Sequence, residues 1–362
     1  MGWVPAALAA FLGFSALIML HELGHFAAAK AVGMRVEKFS LFFGPMLLKV
    51  RRGETVYGVG PIPLGGYVKI SGMNPYEQLP PDVAPRAYFR QPVWKRLVVI
   101  GAGPAMSLLV AFVLLWGIFT IHGTYHPTGV VEQVARDAPA TGKLRPGDRI
   151  VAVDGRRGDF ESLRDQVNRH PCAGRPTKLC VAATPARVTI ERDGKTLTLL
   201  LRPRYQPDAK RMLLGFTSRQ RLEHEDPIGG AGLAVSTMWR VTTQTVSTIG
   251  RLLFSSEARK QTSGVVGAYE VTRQSFEFSI TQALFLLGVI SLSLGVINLF
   301  PFLPLDGGHI FFALAEKIRG RAIPFSVMER ASAVGIVLVL FIFVIGFTND
   351  IGRLTGEGFG VR

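Results

Sequence analysis

Long apolar runs alternate along this chain with polar stretches that are rich in glycine and proline. The first run has no charged residue from Trp3 to Leu20. A helix needs about 20 apolar residues to cross about 30 Å of hydrocarbon, and lipid cannot satisfy open backbone groups. We therefore predict four transmembrane helices, at 1–31, 97–121, 283–309 and 331–348.

The region 32–96, between the first two runs, has a different pattern. β-Branched and aromatic residues are frequent in 36–50 and 56–70, and Gly, Pro and Arg-Arg-Gly interrupt them. This pattern predicts two or three β-hairpins. The stretch from Ile62 to Val68 is glycine-rich and apolar, which fits either an ordinary hairpin turn or a segment at the membrane face near a site.

The region 122–206 is predicted to be a small α+β domain. A strand begins near Gly129, residues 160–168 have helical spacing, and 188–202 read as a hairpin closed by Asp193-Gly194. This order resembles a PDZ domain of the permuted form found in bacterial proteases, and the stretch Gly-Lys-Leu-Arg-Pro-Gly-Asp-Arg-Ile carries the likeness. The resemblance implies a groove for a peptide or trimmed substrate end, with a spacer that binds no peptide as the alternative.

The other segments have weaker patterns. Residues 207–282 are predicted to form an amphipathic, helical linker, in which 233–254 fits a helix on the membrane surface or over the small domain. We expect a loop at 310–330 and a tail at 349–362. The predicted fold is thus a polytopic α-helical membrane protein with four transmembrane helices, a β-rich loop at the membrane and an inserted PDZ-like α+β domain.

Charge adds orientation to this picture. The net charge is +15, but no Lys/Arg block with interleaved aromatics occurs, so we predict contact with membrane lipid and no nucleic-acid partner. Ten Lys/Arg against four acids in 31–96, and four Lys/Arg in 310–330, place both segments in the cytoplasm. The N-terminus, without a basic leader, is read as a retained span that starts outside, and 122–282 is then extracytoplasmic.

The two cysteines, Cys172 and Cys180, flank a short loop. They are too few for a disulfide scaffold. In an extracytoplasmic domain they fit one bridge or two free thiols equally well.

The chemistry of the chain is concentrated in His21-Glu22-Leu-Gly-His25, at the end of the first apolar run. Two His four residues apart lie on one helix face and can bind Zn²⁺, with the adjacent Glu as a general base. Ionisable groups at membrane depth are costly and mark functional sites. We therefore predict one Zn²⁺ per chain, held by His21 and His25, with Glu22 as the catalytic base.

A third ligand must reach the same depth and side of the membrane. Asp306 is the acid at the end of the third apolar run, where prolines and glycines break the helix, so it is the predicted ligand. Its position also fits a cap for a helix that starts near Gly307. His309 is a competing ligand, and Asn298 could bind the substrate or form an interhelical hydrogen bond.

These motifs together resemble the site-2 protease family, most closely the bacterial regulator of sigma-E protease type. The likeness covers nearly the whole chain. It is carried by the His-Glu pair, Gly103-Pro104 in the second span, the PDZ-like insert, Asn298-x-x-Pro301 and Leu305-Asp306-Gly307. One departure is Ser107, where the family often has Asn; this puts the hydrogen bonding behind the metal ligands in doubt.

The resemblance implies an intramembrane zinc metalloprotease of the bacterial inner membrane. Its substrates would be single-span membrane proteins, such as anti-sigma factors trimmed outside by another protease, or signal-peptide remnants. The β-rich loop would present the substrate as an added strand near Gly58 to Ile70, with Gly65, Gly66 and Tyr67 as candidate substrate-binding residues.

Two other functional classes fit parts of the pattern. A membrane scaffold could keep the PDZ-like domain and a structural zinc without catalysis. A zinc transporter would need further polar residues through the spans, and the second and fourth runs offer only Ser107, Thr120 and Ser332.

Overall fold

The computed structural model describes residues 2–74, 76–174, 177, 180–207, 211–256, 259 and 263–356. These residues form two compact units, one from 1–122 and 225–362 and the other from Gly123–His224. The helices are α1 (Trp3–Ala31), α2 (Val93–Gly117), α3 (Phe160–Asn168), α4 (Pro227–Phe254), α5 (Val265–Phe278), α6 (Ile280–Asn298), α7 (Asp306–Arg319) and α8 (Phe325–Thr355).

Within the described residues, four helices are long and apolar enough to cross a membrane. They are α1, α2 with the wider helical turn Ile118–His122, α6 and α8. This confirms the four apolar runs. The last span begins at Phe325 and ends at Thr355. It is longer than the predicted 331–348 because helical turns with charged residues, such as Glu329 and Asp350, extend the apolar run at both ends.

Helices α1, α2 and α6 pack closely through small residues. A Cβ at Gly24 of α1 would lie 2.3 Å from the Ala102 carbonyl oxygen, and one at Gly295 of α6 would lie 3.1 Å from the Pro104 carbonyl oxygen. Without these glycines the helices could not approach so closely. The packing brings the polar residues of the three helices together.

Helix α4 packs its Ala234 and Met238 against the apolar clusters of α2 and α6. The segment 233–254 is therefore helical, as predicted, and its first turns pack on other helices, whereas Trp239, Val246 and Phe254 stay exposed. The sequence pattern predicts an apolar face on this helix but does not identify what packs against it.

The third apolar run is not one continuous helix to residue 309. Helix α6 ends at Asn298, residues 299–305 are not helical, and α7 begins at Asp306. The prolines at 301 and 304 explain the break, since proline lacks the N–H that a helix interior needs. The prediction of a loop over 310–330 was wrong for the first half of this range, because α7 continues to Arg319.

The non-helical segment 299–305 packs closely against glycines of α7 and α8. A Cβ at Gly307 would lie 2.2 Å from the Leu299 carbonyl oxygen, and one at Gly308 would lie 2.5 Å from the Leu303 nitrogen. From α8, a Cβ at Gly335 would lie 1.5 Å from the Leu303 carbonyl oxygen. These contacts fix where α7, and so Asp306, begins.

The region after α1 forms a four-stranded sheet. Its strands are β1 (Val36–Phe43), β2 (Leu48–Arg52), β3 (Thr55–Val59) and β4 (Ile62–Ile70). Their order is β2-β3-β1-β4, with β1 parallel to β3 and antiparallel to β4. Only β2 and β3 form a tight hairpin, so the prediction of two or three successive hairpins was wrong. Strand propensity located the strands, but their pairing depends on tertiary contacts.

The sheet packs on α1. The Phe26 ring contacts Phe39 and Tyr57 with centroid distances of 5.3 and 5.8 Å. At the β2–β3 turn, Glu54 pairs with both Lys30, in the last turn of α1, and Arg86. The two cations lower the pKa of Glu54 to about 2. The sheet is thereby anchored to the end of α1.

The unit Gly123–His224 is an antiparallel sheet with one helix. Its strands are β5 (Thr124–Val134), β6 (Arg149–Val153), β7 (Arg156–Arg157), β8 (Ala186–Arg192), β9 (Lys195–Leu201), β10 (Arg204–Gln206), β11 (Arg211–Leu213) and β12 (Phe216–Glu223). The main sheet has the order β12-β5-β6-β8-β9. Helix α3 and this sheet enclose a core that includes Val131, Ile190 and Leu201.

The predicted domain boundary at 206 lies too early. Strand β12 pairs with β5 along its length, from Phe216↔Val134 to Glu223↔Thr124, so the unit ends at His224. The start of the predicted linker 207–282, up to His224, therefore belongs to the small domain. Cys172 and Cys180, whose pairing the sequence left open, form a disulfide.

Candidate metal centre

Helix α1 presents His21 and His25 on one face, one turn apart. Both side chains are buried, with 6% and 7% of their surface exposed. Asp306, the first residue of α7, points to the same place. The structure thus brings together the three residues that we predicted as metal ligands.

The three ligand atoms form a nearly equilateral triangle. The two His Nε2 atoms are 3.3 Å apart, and each lies 3.3 Å from Asp306 Oδ2. Tetrahedral zinc with bonds of about 2.0–2.1 Å has its ligand atoms about 3.3–3.4 Å apart. The spacing therefore matches three corners of a zinc tetrahedron, with a fourth corner left for water or substrate.

The hydrogen bonds behind the ligands leave the Nε2 atoms free. His25 Nδ1 lies 2.9 Å from the Val99 carbonyl oxygen, which can only accept, so Nδ1 carries the proton and Nε2 has a lone pair. His21 Nδ1 lies 2.9 Å from Ser107 Oγ. Ser107 therefore makes the hydrogen bond that its difference from the family pattern had put in doubt.

The environment of Asp306 indicates that a cation fits this triangle. Its Oδ2 atom is buried and has no hydrogen-bond partner. An unpaired buried carboxylate oxygen facing the lone pairs of two imidazoles would be strongly destabilising on its own. A divalent metal ion among the three atoms would satisfy all of them.

Gly103 of α2 lies directly against the site. A Cβ there would be 2.1 Å from His25 Nε2, so any side chain would displace the imidazole. Gly103-Pro104 is recognisable in the sequence as a motif, but its steric role was not predicted. The spacing Gly101-x-Gly103 inside an apolar helix could have indicated this close contact. The hydrogen bond to the Val99 carbonyl could not be predicted, because every residue has a backbone carbonyl.

Asp306 is also held through the opposite end of α7. Arg96, only 4% exposed, forms a two-point ion pair with Glu316, with Nη2 to Oε1 at 2.6 Å. The pair joins the start of α2 to the last turns of α7. Two helices that each contribute to the site are thus fixed to one another.

The side chain of Glu22 extends from α1 towards strand β4. A Cβ at Gly66 would be 3.1 Å from Glu22 Cγ, so the Glu22 side chain packs against the backbone of β4. Gly66 and its neighbours Gly65 and Tyr67 therefore lie beside the predicted base. In the described part of the chain β4 is an edge strand, paired only with β1.

Two other residues singled out by the sequence lie apart from the ligand triangle. The Asn298 side chain donates to the Leu294 carbonyl oxygen in its own helix, at 3.0 Å. His309 lines a cavity of about 280 Å³ together with Tyr88, Arg96 and Glu316. The group of potential metal ligands found in the described residues contains His21, His25 and Asp306, without His309.

Comparison with known proteins adds independent information. The sequence profile of Peptidase family M50 matches residues 9–342. A protein of Campylobacter jejuni is 30% identical over 367 residues, covering 97% of this chain and 94% of its own length, and one of Rhizobium meliloti is 29% identical over 364 residues, covering 94% of each. Both carry the name "Putative zinc metalloprotease".

A further relative is Zinc metalloprotease Rip1 of Mycobacterium tuberculosis, 29% identical over 384 residues, with 90% of this chain and 91% of that protein covered. The match to the family profile spans the helix with both His and the helix with Asp306. The described residues include four helices long and apolar enough to cross a membrane, and the first of them carries both His ligands of the candidate site. The chain belongs to peptidase family M50, the site-2 protease family, and is a multi-pass membrane zinc metalloprotease.

Proposed function

We propose that this protein hydrolyses peptide bonds inside the transmembrane segments of single-span membrane proteins. The observation that carries the proposal is the depth of the ligand triangle. His21 lies ten residues before the end of α1, about 15 Å along the helix axis. A site at that depth among apolar helices is reached more readily by a membrane-embedded segment than by a soluble peptide.

His21, His25 and Asp306 are the proposed zinc ligands, and Glu22 is the proposed catalytic base. Zinc supplies Lewis acidity, which polarises a peptide carbonyl and makes water more acidic. Glu22 accepts the proton of the attacking water and delivers it to the leaving amine. Its side chain is kept beside β4 by the packing of its Cγ against Gly66.

The free edge of β4 is the proposed binding site for the substrate. A helical peptide bond is shielded by its own hydrogen bonds, so the scissile segment must unwind before attack. An unwound segment can add to β4 as a further strand and satisfy its backbone groups there. Because Gly66 and Val68 adjoin Glu22, a strand added at this edge passes the base.

The unit Gly123–His224 offers a second recognition site. A groove of about 440 Å³ lies between α3 and β12, which is an edge strand in the described part of this sheet. Arg164 and Arg211 line it, and each has a buried Nε without a hydrogen-bond partner. We propose that this PDZ-like groove binds the carboxylate end of a substrate trimmed outside.

The wider biological role follows from the family resemblance and the charge pattern. We propose regulated intramembrane proteolysis in the bacterial inner membrane, with anti-sigma factors or signal-peptide remnants as substrates. The basic loops at 31–96 and 310–330 favour a cytoplasmic sheet, and the PDZ-like unit is then extracytoplasmic. Asn298 stays a candidate for substrate binding.

The proposed catalytic role is tested with Glu22→Gln and His21→Ala on a tagged single-span substrate whose external domain has been removed. We expect Glu22→Gln to keep zinc and to lower cleavage about 10²- to 10⁴-fold, since it removes only the base. His21→Ala should lose both. Cleavage is followed by gel shift in membranes, and zinc by elemental analysis.

The rival functions give different results in the same assay. A scaffold with a structural zinc predicts that wild type and Glu22→Gln behave alike, with no cleavage by either. A transporter predicts zinc flux into vesicles that Glu22→Gln changes without any proteolysis. Full cleavage by Glu22→Gln would contradict the mechanism even if the protein is a protease.

Gly103→Ala tests the ligand geometry. The new methyl group would displace His25 Nε2, so we expect zinc affinity to fall by at least about tenfold. Gly101→Ala is the matched control, because a Cβ there meets nothing within 4 Å on the same helix. Equal zinc content in the two variants would show that His25 Nε2 is not at the metal.

Photo-crosslinking tests the strand model. A photoreactive amino acid replaces Tyr67 on β4 or Leu48 on β2, at the two edges of one sheet, in the Glu22→Gln background. We expect the substrate to crosslink at position 67 and not at position 48, because only β4 adjoins Glu22. Crosslinking at position 48 alone would refute the proposed edge.

Peptide titration tests the groove in the full-length protein. A peptide with a free carboxyl end should bind. The double variant Arg164→Gln/Arg211→Gln should lower the affinity for this peptide about tenfold, because a hydrogen bond to a charged group is lost. The control is Arg169→Gln, which removes an exposed arginine directly after α3. If wild type does not distinguish free from amidated peptide, the groove does not read a carboxylate.

A further inference from the structure

Strand β2 is the outer edge of the sheet, opposite β4, and all five of its residues are exposed. Leu48 and Val50 keep 73% and 69% of their surface exposed, and the preceding Leu47 keeps 69%. Three neighbouring exposed aliphatic side chains on one edge are unusual where a sheet faces water alone. Something apolar is expected to contact this edge.

The register of the sheet assigns these side chains to one face. Val50 lies opposite Tyr57, and Tyr57 lies opposite Phe39. Tyr57 and Phe39 contact Phe26 of α1, so Val50 and Leu48 project from the face that packs on the membrane-spanning helix. This face extends beyond α1 at β2 and ends in uncovered aliphatic groups.

The opposite face carries positive charge. Lys49 and Arg51 alternate with Leu48 and Val50, and Arg51 lies in one cross-strand row with Val56 and Lys38. Arg52, at the end of β2, lies on the same face as Leu48 and Val50. In the part of the chain that the structure describes, no ion pair joins any of these cations (Lys38, Lys49, Arg51 and Arg52) to a carboxylate. The carboxylates of Glu37 and Glu77 pair with Lys69, and that of Glu54 pairs with Lys30 and Arg86.

The location of the sheet restricts the partner. Strand β1 begins at Val36, five residues after α1 ends, and runs back along the helix until Phe42 contacts Phe11, with ring centroids 5.8 Å apart. The register places Arg52 next to the β2–β3 turn, where Glu54 pairs with Lys30 at the end of α1, and Leu48 at the other end of the sheet, near Phe42. Aliphatic side chains can reach the acyl chains from there while cations meet phosphates.

We propose that β2 is a binding site for anionic phospholipids of the surrounding bilayer. Lys49, Arg51 and Arg52 contact the phosphate groups, and Leu48 and Val50 contact the upper acyl chains. Bound lipid would hold one edge of the sheet at the membrane while the other edge, β4, stays beside Glu22. This interaction goes beyond the proposed proteolysis and does not depend on it.

The test measures binding of phosphatidylglycerol and of phosphatidylcholine to the full-length protein by native mass spectrometry. Lys49→Gln, Arg51→Gln and Arg52→Gln are combined in one variant. We expect this variant to bind phosphatidylglycerol at least about tenfold more weakly, since each cation near an anionic surface contributes to binding, while phosphatidylcholine binding changes little.

The matched control removes three exposed cations from the other unit, with Arg156→Gln, Arg157→Gln and Lys195→Gln. It should bind phosphatidylglycerol like wild type, and zinc content reports whether each variant is folded. Equal losses in both triple variants would attribute the effect to net charge. Unchanged binding in the β2 variant would also overturn the proposal.

A second variant, Leu48→Ser with Val50→Ser, tests the apolar part. We expect weaker binding of both lipids with the preference for phosphatidylglycerol retained. If this variant instead changes the oligomeric state and leaves lipid binding intact, β2 is an interface between copies of the chain and the lipid site is refuted.

Discussion

The structure depends on bringing three electron-rich atoms together inside apolar helices. His21 Nε2, His25 Nε2 and Asp306 Oδ2 lie 3.3 Å from each other, and the Nδ1 contacts of the two His turn their Nε2 atoms inward. Such a cluster is unfavourable without a cation and favourable with one. The close packing of the helices and the clamped segment before α7 both serve this convergence.

The sequence predicted the parts whose causes are local. Apolar length located the four spans, the spacing of His21 and His25 identified one helix face, and the prolines before Asp306 predicted the break that lets this residue reach the site. Even the resemblance to site-2 proteases depended on short motifs. For each of these features, the residues that define it lie within a few positions of one another.

Other features could not be predicted because they depend on distant partners. The order β2-β3-β1-β4 places a parallel pair between strands that are not successive, and no local pattern specifies that. The end of the small domain at His224 depends on the pairing of β12 with β5, about ninety residues apart. The roles of Val99 and Gly103 come from a carbonyl and from a missing side chain.

The pairing of Thr124 with Glu223 has a consequence for how such proteins change over time. Neighbours in an antiparallel ladder are about 5 Å apart, so the chain enters and leaves the small domain at almost the same point. Loss, exchange or duplication of that domain would leave the two ends of the remaining chain within reach of a short loop. The helices that hold the zinc ligands could thus keep their packing while the recognition domain diversified.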